Sequence, residues 1–290
     1  LTVKIDAHHH FWKYSSAEYG WIDDSMARIR RDFLPSELQA TIQKAGIDAV
    51  VSVQARQTEE ESSWLLALAE ANPFIAGVVG WIPLSSPAAE ASLERHAANP
   101  KLRAVRHVLQ GEPEGTMLAG DFNRGLSLLK AHNLAYDILI FERQLSEAIQ
   151  LVDWHPDQRF ILDHIAKPRI RERLREPWLS KMKELARRPN VWCKLSGLVT
   201  EADFSAWTEQ DLLPYLEGAL EAFGSSRLMF GSDWPVCLTL CEYARWKDIV
   251  ERFVSRLRPD EQERFWLRNA AEAYNLKLPT PLSNQSSCVH

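Results

Sequence analysis

Two histidines one residue apart, His8 and His10, stand at the end of the run Val3-Lys4-Ile5-Asp6-Ala7. Alternate side chains of a strand face the same way, so this spacing turns two imidazoles toward one point, as a metal ion requires. His9, between them, should face away. The triplet continues a strand pattern rather than a Gly/Ser linker, which argues against an expression tag. Two later motifs supply what the pair lacks: Asp163-His164-Ile165-Ala166-Lys167-Pro168 offers His164, and Gly231-Ser232-Asp233-Trp234-Pro235 offers Asp233. His8, His10, His164 and Asp233 make a donor set for one metal ion. Asp233 is also the expected catalytic base, because a carboxylate beside a metal or an electropositive pocket stays ionised and can take a proton from attacking water. The competing role is a helix N-cap, which Pro235 weakens by biasing Trp234 away from helical geometry.

Further polar groups recur at the ends of short apolar runs. Arg106 and His107 are expected to act on the substrate, Arg106 through its planar fork and His107 through a ring nitrogen; the alternative is a salt bridge inside the fold. Gln54 and Asp137 could bond sugar-like hydroxyls, or satisfy neighbours in the wall. Trp12, Trp81 and Trp234 could stack on a small ring, although most of the eleven tryptophans must serve packing. Lys167 is a further substrate-binding candidate, whereas Lys194 reads as an ion-pair partner of Asp163 or Asp137.

The elements that must position these residues alternate along the chain. Strands are expected at Val3–His8, Ala49–Gln54, Ile75–Trp81, Leu102–His107, Ala135–Ile140, Arg159–His164, Val191–Leu195 and Arg227–Ser232. Amphipathic helices are expected between them, among them Pro35–Ala45, Glu60–Ala71 and Asp211–Phe223. Eight strand–helix units predict an α/β fold, the (β/α)8 TIM barrel, whose chemistry collects at the C-terminal ends of the strands. No GxGxxG turn follows an early strand, which disfavours an open doubly wound sheet. Residues 1–278 read as one domain with a C-terminal helix, Pro259–Tyr274, outside the barrel; 279–290 read as a flexible tail. The long first loop, Lys13–Phe33, either covers the site or runs over the surface.

A net charge of −5 with no basic cluster disfavours nucleic acid and anionic membranes as partners, and favours a small molecule. The sequence leaves a homo-oligomer open. Four cysteines in no metal-type spacing read as reduced thiols of a cytoplasmic protein. A secretory signal is not apparent, nor is a run of about 18 apolar residues.

From IDAHHHFW through Val53-Gln54, Val105-Arg106-His107, Tyr136-Asp137, DHIAKP, KLSGL and FGSDWP, the chain resembles the amidohydrolase-2 proteins of the L-fuconolactonase and L-rhamnonolactonase type. The resemblance spans nearly the whole barrel in order. It implies a TIM barrel that hydrolyses the lactone of a deoxy-sugar acid, with or without a bound divalent metal, zinc being the expected ion, and a place in carbohydrate metabolism. His9 departs from the family, where relatives commonly carry Gln. Two-metal members place a bridging Lys and an extra His on strands four and five; His107 and Asp137 stand here instead, which implies a mononuclear or empty site. Two other readings keep the barrel: a decarboxylase or a hydrolase of an aromatic-pathway lactone or amide, and a non-catalytic sugar-acid-binding barrel. The second has little use for a water-activating carboxylate beside metal-type histidines.

Overall fold

The computed structural model describes residues 3–277, so the expected tail at 279–290 lies outside the described residues. Eight strands lie side by side in chain order and all run parallel: β1 (Ile5–His9), β2 (Ala49–Val53), β3 (Ile75–Gly80), β4 (Leu102–Val108), β5 (Ala135–Leu139), β6 (Phe160–Leu162), β7 (Val191–Leu195) and β8 (Leu228–Phe230). The residues after β8 close the ring against β1, with Asp233 N donating to His8 O at 2.8 Å and His10 N to Trp234 O at 2.7 Å. Helices α1 (Pro35–Ala45), α2 (Glu59–Ala71), α3 (Ala89–Ala97), α4 (Gly120–Leu128), α5 (Leu145–Trp154), α6 (Trp178–Leu185), α7 (Glu209–Phe223) and α8 (Tyr243–Val254) connect the strands. The chain is a TIM barrel. No helix among the described residues is long and apolar enough to cross a membrane.

Helix identity follows local chemistry. Thr58 caps α2 by accepting from Glu61 N, Pro35 starts α1 at a position that needs no N–H, and Gly46 ends α1 in the left-handed region at φ +68°. Two strands stop two residues earlier than their sequence pattern suggests, where three others stop one residue early. β6 ends at Leu162 and β8 at Phe230, because the chain next enters left-handed backbone at His164–Lys167 and at Asp233.

Below the site five small residues, Ala7, Ala49, Ala76, Ala104 and Ala135, cluster with Val51, Val79, Ile161 and Met229. Their missing volume is filled from outside the ring. The C-terminal segment, α9 (Pro259–Glu263), a π turn (Arg264–Arg268) and α10 (Asn269–Ala273), lies outside the strands and crosses under their N-terminal ends. Asn269 fastens it by donating to Ser225 O and Leu228 O at 2.8 and 2.7 Å, and Arg159 Nε donates to Ala273 O at 3.0 Å. Tyr274 then turns inward, fully buried among the alanines.

Candidate active site

The presentation of His8 and His10 depends on an extra residue in β1. Asp6 pairs with Val50 but His9 with Ser52, so three steps on β1 face two on β2. This bulge re-aims the strand between Ala7 and His8. Ala7 and His8 both turn into the barrel, and His9 faces out to bond Ser52 Oγ at 2.8 Å. One carboxylate holds the irregular backbone. Asp6 Oδ1 accepts from His8 N at 3.1 Å and from Ser232 N at 2.9 Å, while Oδ2 accepts from Tyr243 Oη at 3.0 Å. Asp6 thereby ties the histidine strand to the residue before Asp233.

The four expected metal donors meet. His10 Nδ1 lies 2.9 Å from Val53 O, which fixes its proton there and leaves the Nε2 lone pair toward the site. His10 Nε2 is 3.2 Å from His8 Nε2 and 3.4 Å from Asp233 Oδ1; His8 Nε2 and His164 Nε2 stand 3.7 and 4.0 Å from that same oxygen. His164 is oriented by Ser196 Oγ at 2.8 Å from its Nδ1, and Gly197 packs so close beneath that a Cβ there would meet the ring at 2.5 Å. Burial pushes the pKa of His164 down to about 4 and that of His8 well below the usual range, so both rings are neutral at physiological pH. Burial works to raise Asp233, but His164, a hydrogen bond from His10, and His8 outweigh it and hold the carboxyl well below the usual range.

Behind these donors two fixed cations face two carboxylates. Lys194, fully buried, donates to Asp137 Oδ2 at 2.6 Å and stands 2.8 Å from Asp163 Oδ1 and 3.1 Å from His8 Nδ1. Arg106 donates to Asp163 Oδ2 at 2.9 Å and is braced by the carbonyl and side chain of Gln54. With Asp233 included, the interior carries one negative charge more than its side chains neutralise. Two triads have donor atoms close enough to share a cation, His8–His10–Asp233 and His8–Asp163–His164, and the first, with His164 Nε2 4.0 Å from the same Asp233 oxygen and in a pocket short of positive charge, fits a single divalent cation. Lys194 pairs with both of the acids expected for it.

A cavity of about 720 Å³ opens above Asp233. His10, Arg106, His164, Lys167 and Asp233 line it, together with Glu18, Trp21 and Met26 of the first loop, which therefore covers the site. That loop is tied down on both flanks, by Arg56–Glu18 and by Arg28–Glu242.

Several expected residues are elsewhere. His107 points out of the barrel, accepting from Trp81 Nε1 at 3.1 Å and pairing with Glu112 at 2.9 Å. Neighbours on a strand face opposite ways, so with Arg106 inward His107 cannot share its site, and Trp81 goes with it. Trp12 is wholly buried, donates to Arg31 O at 2.8 Å and packs on Tyr19 and Phe33; Trp234 packs on Phe11 and Phe33. Both are framework under the loop, not a stacking wall. Gln54 supports Arg106, and Asp137 sits beneath, bonded to Lys194 and to Tyr274 Oη at 2.7 Å. Sequence reasoning missed Asp6, Ser196, Glu201 and Tyr274. Asp6, an acid inside an apolar strand two residues before the histidine pair, carried a readable signal; Tyr274 carried none.

Residues 5–276 match the family model described as Amidohydrolase. The L-fucono-1,5-lactonase of Burkholderia multivorans is 41% identical over 291 residues, covering 96% of this chain and 98% of that protein. The L-fucono-1,5-lactonase of Burkholderia ambifaria is 36% identical, covering 97% and 98%. A crystal structure of an amidohydrolase from Burkholderia multivorans with bound zinc superposes with a TM-score of 0.88 at 40% identity, over 95% of this chain and all of that one.

Proposed function

The chain belongs to the amidohydrolase family, and from that premise we propose that it is a lactonase opening the ring of a sugar-acid lactone, with L-fuconolactone the first substrate to try. The observation that carries the reading is the ionised Asp233 among His8, His10 and His164, beside Arg106, at the base of a covered cavity. The likeness to two L-fucono-1,5-lactonases over almost the entire chain supports the substrate class.

One zinc ion would be held by His8, His10, His164 and Asp233, and when bound it would polarise the lactone carbonyl and acidify water. The chain's own groups do the rest. Asp233 takes a proton from water as its oxygen adds to the carbonyl carbon, and Arg106 stabilises the negative charge arriving on the carbonyl oxygen. When the tetrahedral adduct collapses, the ring C–O bond breaks and Asp233 returns the proton to the leaving alkoxide. The product is the open hydroxy acid. Asp163 and Gln54 keep Arg106 aimed, and Val53 keeps the His10 proton away from the site. We further assign the enzyme to sugar breakdown in the cytoplasm, where a reducing milieu suits the buried free thiols Cys193, Cys237 and Cys241.

The test is acid release from a panel of L- and D-sugar lactones before and after chelation, with Asp233→Asn beside it to subtract spontaneous opening. Turnover of a sugar lactone that needs Asp233 supports the reading; a panel wholly inert with zinc present refutes the substrate class.

A further inference from the structure

His8 stands apart from the other expected donors in what surrounds its ring. The ring is wholly buried and uncharged at physiological pH, so one nitrogen carries a hydrogen and the other a lone pair. Each nitrogen faces both a donor and an acceptor. Nδ1 has the Lys194 ammonium at 3.1 Å and Asp163 Oδ1 at 3.3 Å, while Nε2 has Arg106 Nη1 at 3.4 Å and His10 Nε2 at 3.2 Å. His10 counts as the acceptor there, because its own hydrogen is on Nδ1 and bonded to Val53 O.

These four contacts fall into two sets that exclude one another. With hydrogen on Nε2, Lys194 donates to Nδ1 and Nε2 donates to His10, through the two shorter contacts. With hydrogen on Nδ1, that nitrogen donates to Asp163 Oδ1, and Nε2 keeps a lone pair that accepts only from Arg106. The second tautomer alone can offer Nε2 to an ion. Its cost is visible on both sides of the ring. A lone pair on Nε2 would face that of His10 at 3.2 Å, and Arg106 Nη1 is already bonded to Asp163 Oδ2 at 2.9 Å. Asp163 Oδ1 is buried beside Nδ1 with the ionic contact to Lys194 at 2.8 Å but no well-aligned hydrogen bond. That oxygen is the acceptor the second tautomer needs, and a buried acceptor gains from being satisfied.

Binding of a divalent cation reverses the balance between the two sets. His8 and His10 must then both present lone pairs from Nε2, so the His8 hydrogen has to stand on Nδ1 and point at Asp163. The ring stays neutral throughout. Nε2 gives one proton up to the cavity, Nδ1 acquires one, and Lys194 keeps its charge.

We propose that Lys194 is a positioning residue that holds His8 in the tautomer withholding Nε2, and that metal binding moves the ring hydrogen to Nδ1, where Asp163 Oδ1 accepts it. Affinity for the ion is lowered by the fraction of protein in the competent tautomer, which makes the ion exchangeable. This rests on the reading that His8, His10, His164 and Asp233 hold one ion, and not on the substrate.

The test is the nuclear magnetic resonance of the His8 ring nitrogens in protein carrying histidine labelled with the heavy nitrogen isotope. The His8 signals are assigned by their loss in His8→Gln, and spectra are recorded after chelation and again with zinc added. Zinc-free wild type should show hydrogen on Nε2 and none on Nδ1. Zinc should reverse the pattern, which general loosening of the fold would not do. Lys194→Met removes the donor to Nδ1, so the zinc-free variant should already carry hydrogen on Nδ1 and should bind zinc about tenfold or more tightly, one charged hydrogen bond being at stake. Losing a positive charge would itself raise affinity, so the tautomer decides and not the affinity.

Hydrogen on Nδ1 in zinc-free wild type overturns the proposal, as does a zinc-free Lys194→Met protein that keeps hydrogen on Nε2. Removing Lys194 strands two buried carboxylates, and should that variant not fold, the wild-type spectra before and after zinc decide alone. Zinc uptake with an unmoved His8 hydrogen would sink the switch and keep the metal reading. No uptake of zinc would sink both, and lactone turnover enters neither.

Discussion

The two ends of this barrel solve the problem of filling an interior in opposite ways. At the floor five alanines leave a void that Tyr274 occupies, and the fit is one of volume. At the mouth the space is held by charge: Lys194 and Arg106 against Asp137, Asp163 and Asp233, with three imidazoles between. A floor built by volume should fail by losing stability. A mouth built by charge should fail by losing chemistry, because buried carboxylates are costly for folding and are kept for what they do. The two meet at one atom, Asp137 Oδ2, which accepts from Tyr274 below and Lys194 above.

The largest effect expected is at the mouth. Asp233→Asn removes the proton acceptor and should lower kcat by about 10³–10⁴-fold, near the upper range for a general base, while the melting temperature holds or rises. Kinetics beside a thermal melt would check it; a variant that lost its fold along with its activity would break the division of labour. Next comes the floor. Tyr274→Ala empties the plug and should cost about 3–5 kcal/mol in denaturant unfolding, as aromatic-to-alanine changes in cores do. Tyr274→Phe keeps the volume and deletes only the hydroxyl that serves Asp137, so about 1–3 kcal/mol is expected. If kcat falls more in Tyr274→Phe than the stability loss explains, the floor reaches the chemistry through Asp137 and Lys194, and the comparison must be redrawn.

The same contrast governs how much was legible in the sequence. Eight βα units could be read because parallel strands buried on both faces are runs of apolar residues bounded by turns, a local signal. His8, His10, His164 and Asp233 could be read because each stands at the end of such a run. What failed was orientation and distance. Arg106 and His107 were both expected at the site although adjacent strand residues face opposite ways, and Trp12 and Trp234 were placed near it by position along the strand rather than by depth. The bulge at Ala7–His8 appears only when β1 and β2 are paired. Tyr274 is separated from Asp137 by 137 residues, so no local pattern announces their bond.

The smallest effect concerns pH, and it too belongs to one end. Glu61, buried under the rim, accepts from Ala55 N at 3.3 Å and from Arg56 N, holding the β2 loop against the cavity. Burial pushes its carboxyl up to about 7, against those two N–H donors and the charges of Arg56 and Arg106. A carboxyl raised in the folded state binds more protons there than when unfolded, so its contribution is complete below the unfolded value and fades as pH rises toward 7. Glu61→Gln cannot ionise. Unfolding free energies of wild type minus variant should therefore fall between pH 5 and pH 7, by at most about 1.4 kcal/mol per pH unit and less where water reaches the group. Tyr274→Phe titrates nothing new near the rim, so the corresponding Glu61→Gln difference measured in that background should fall in parallel. A flat difference for Glu61→Gln would mean that its two N–H donors keep the carboxylate ionised throughout, and that the rim, like the floor, is held without a proton to lose.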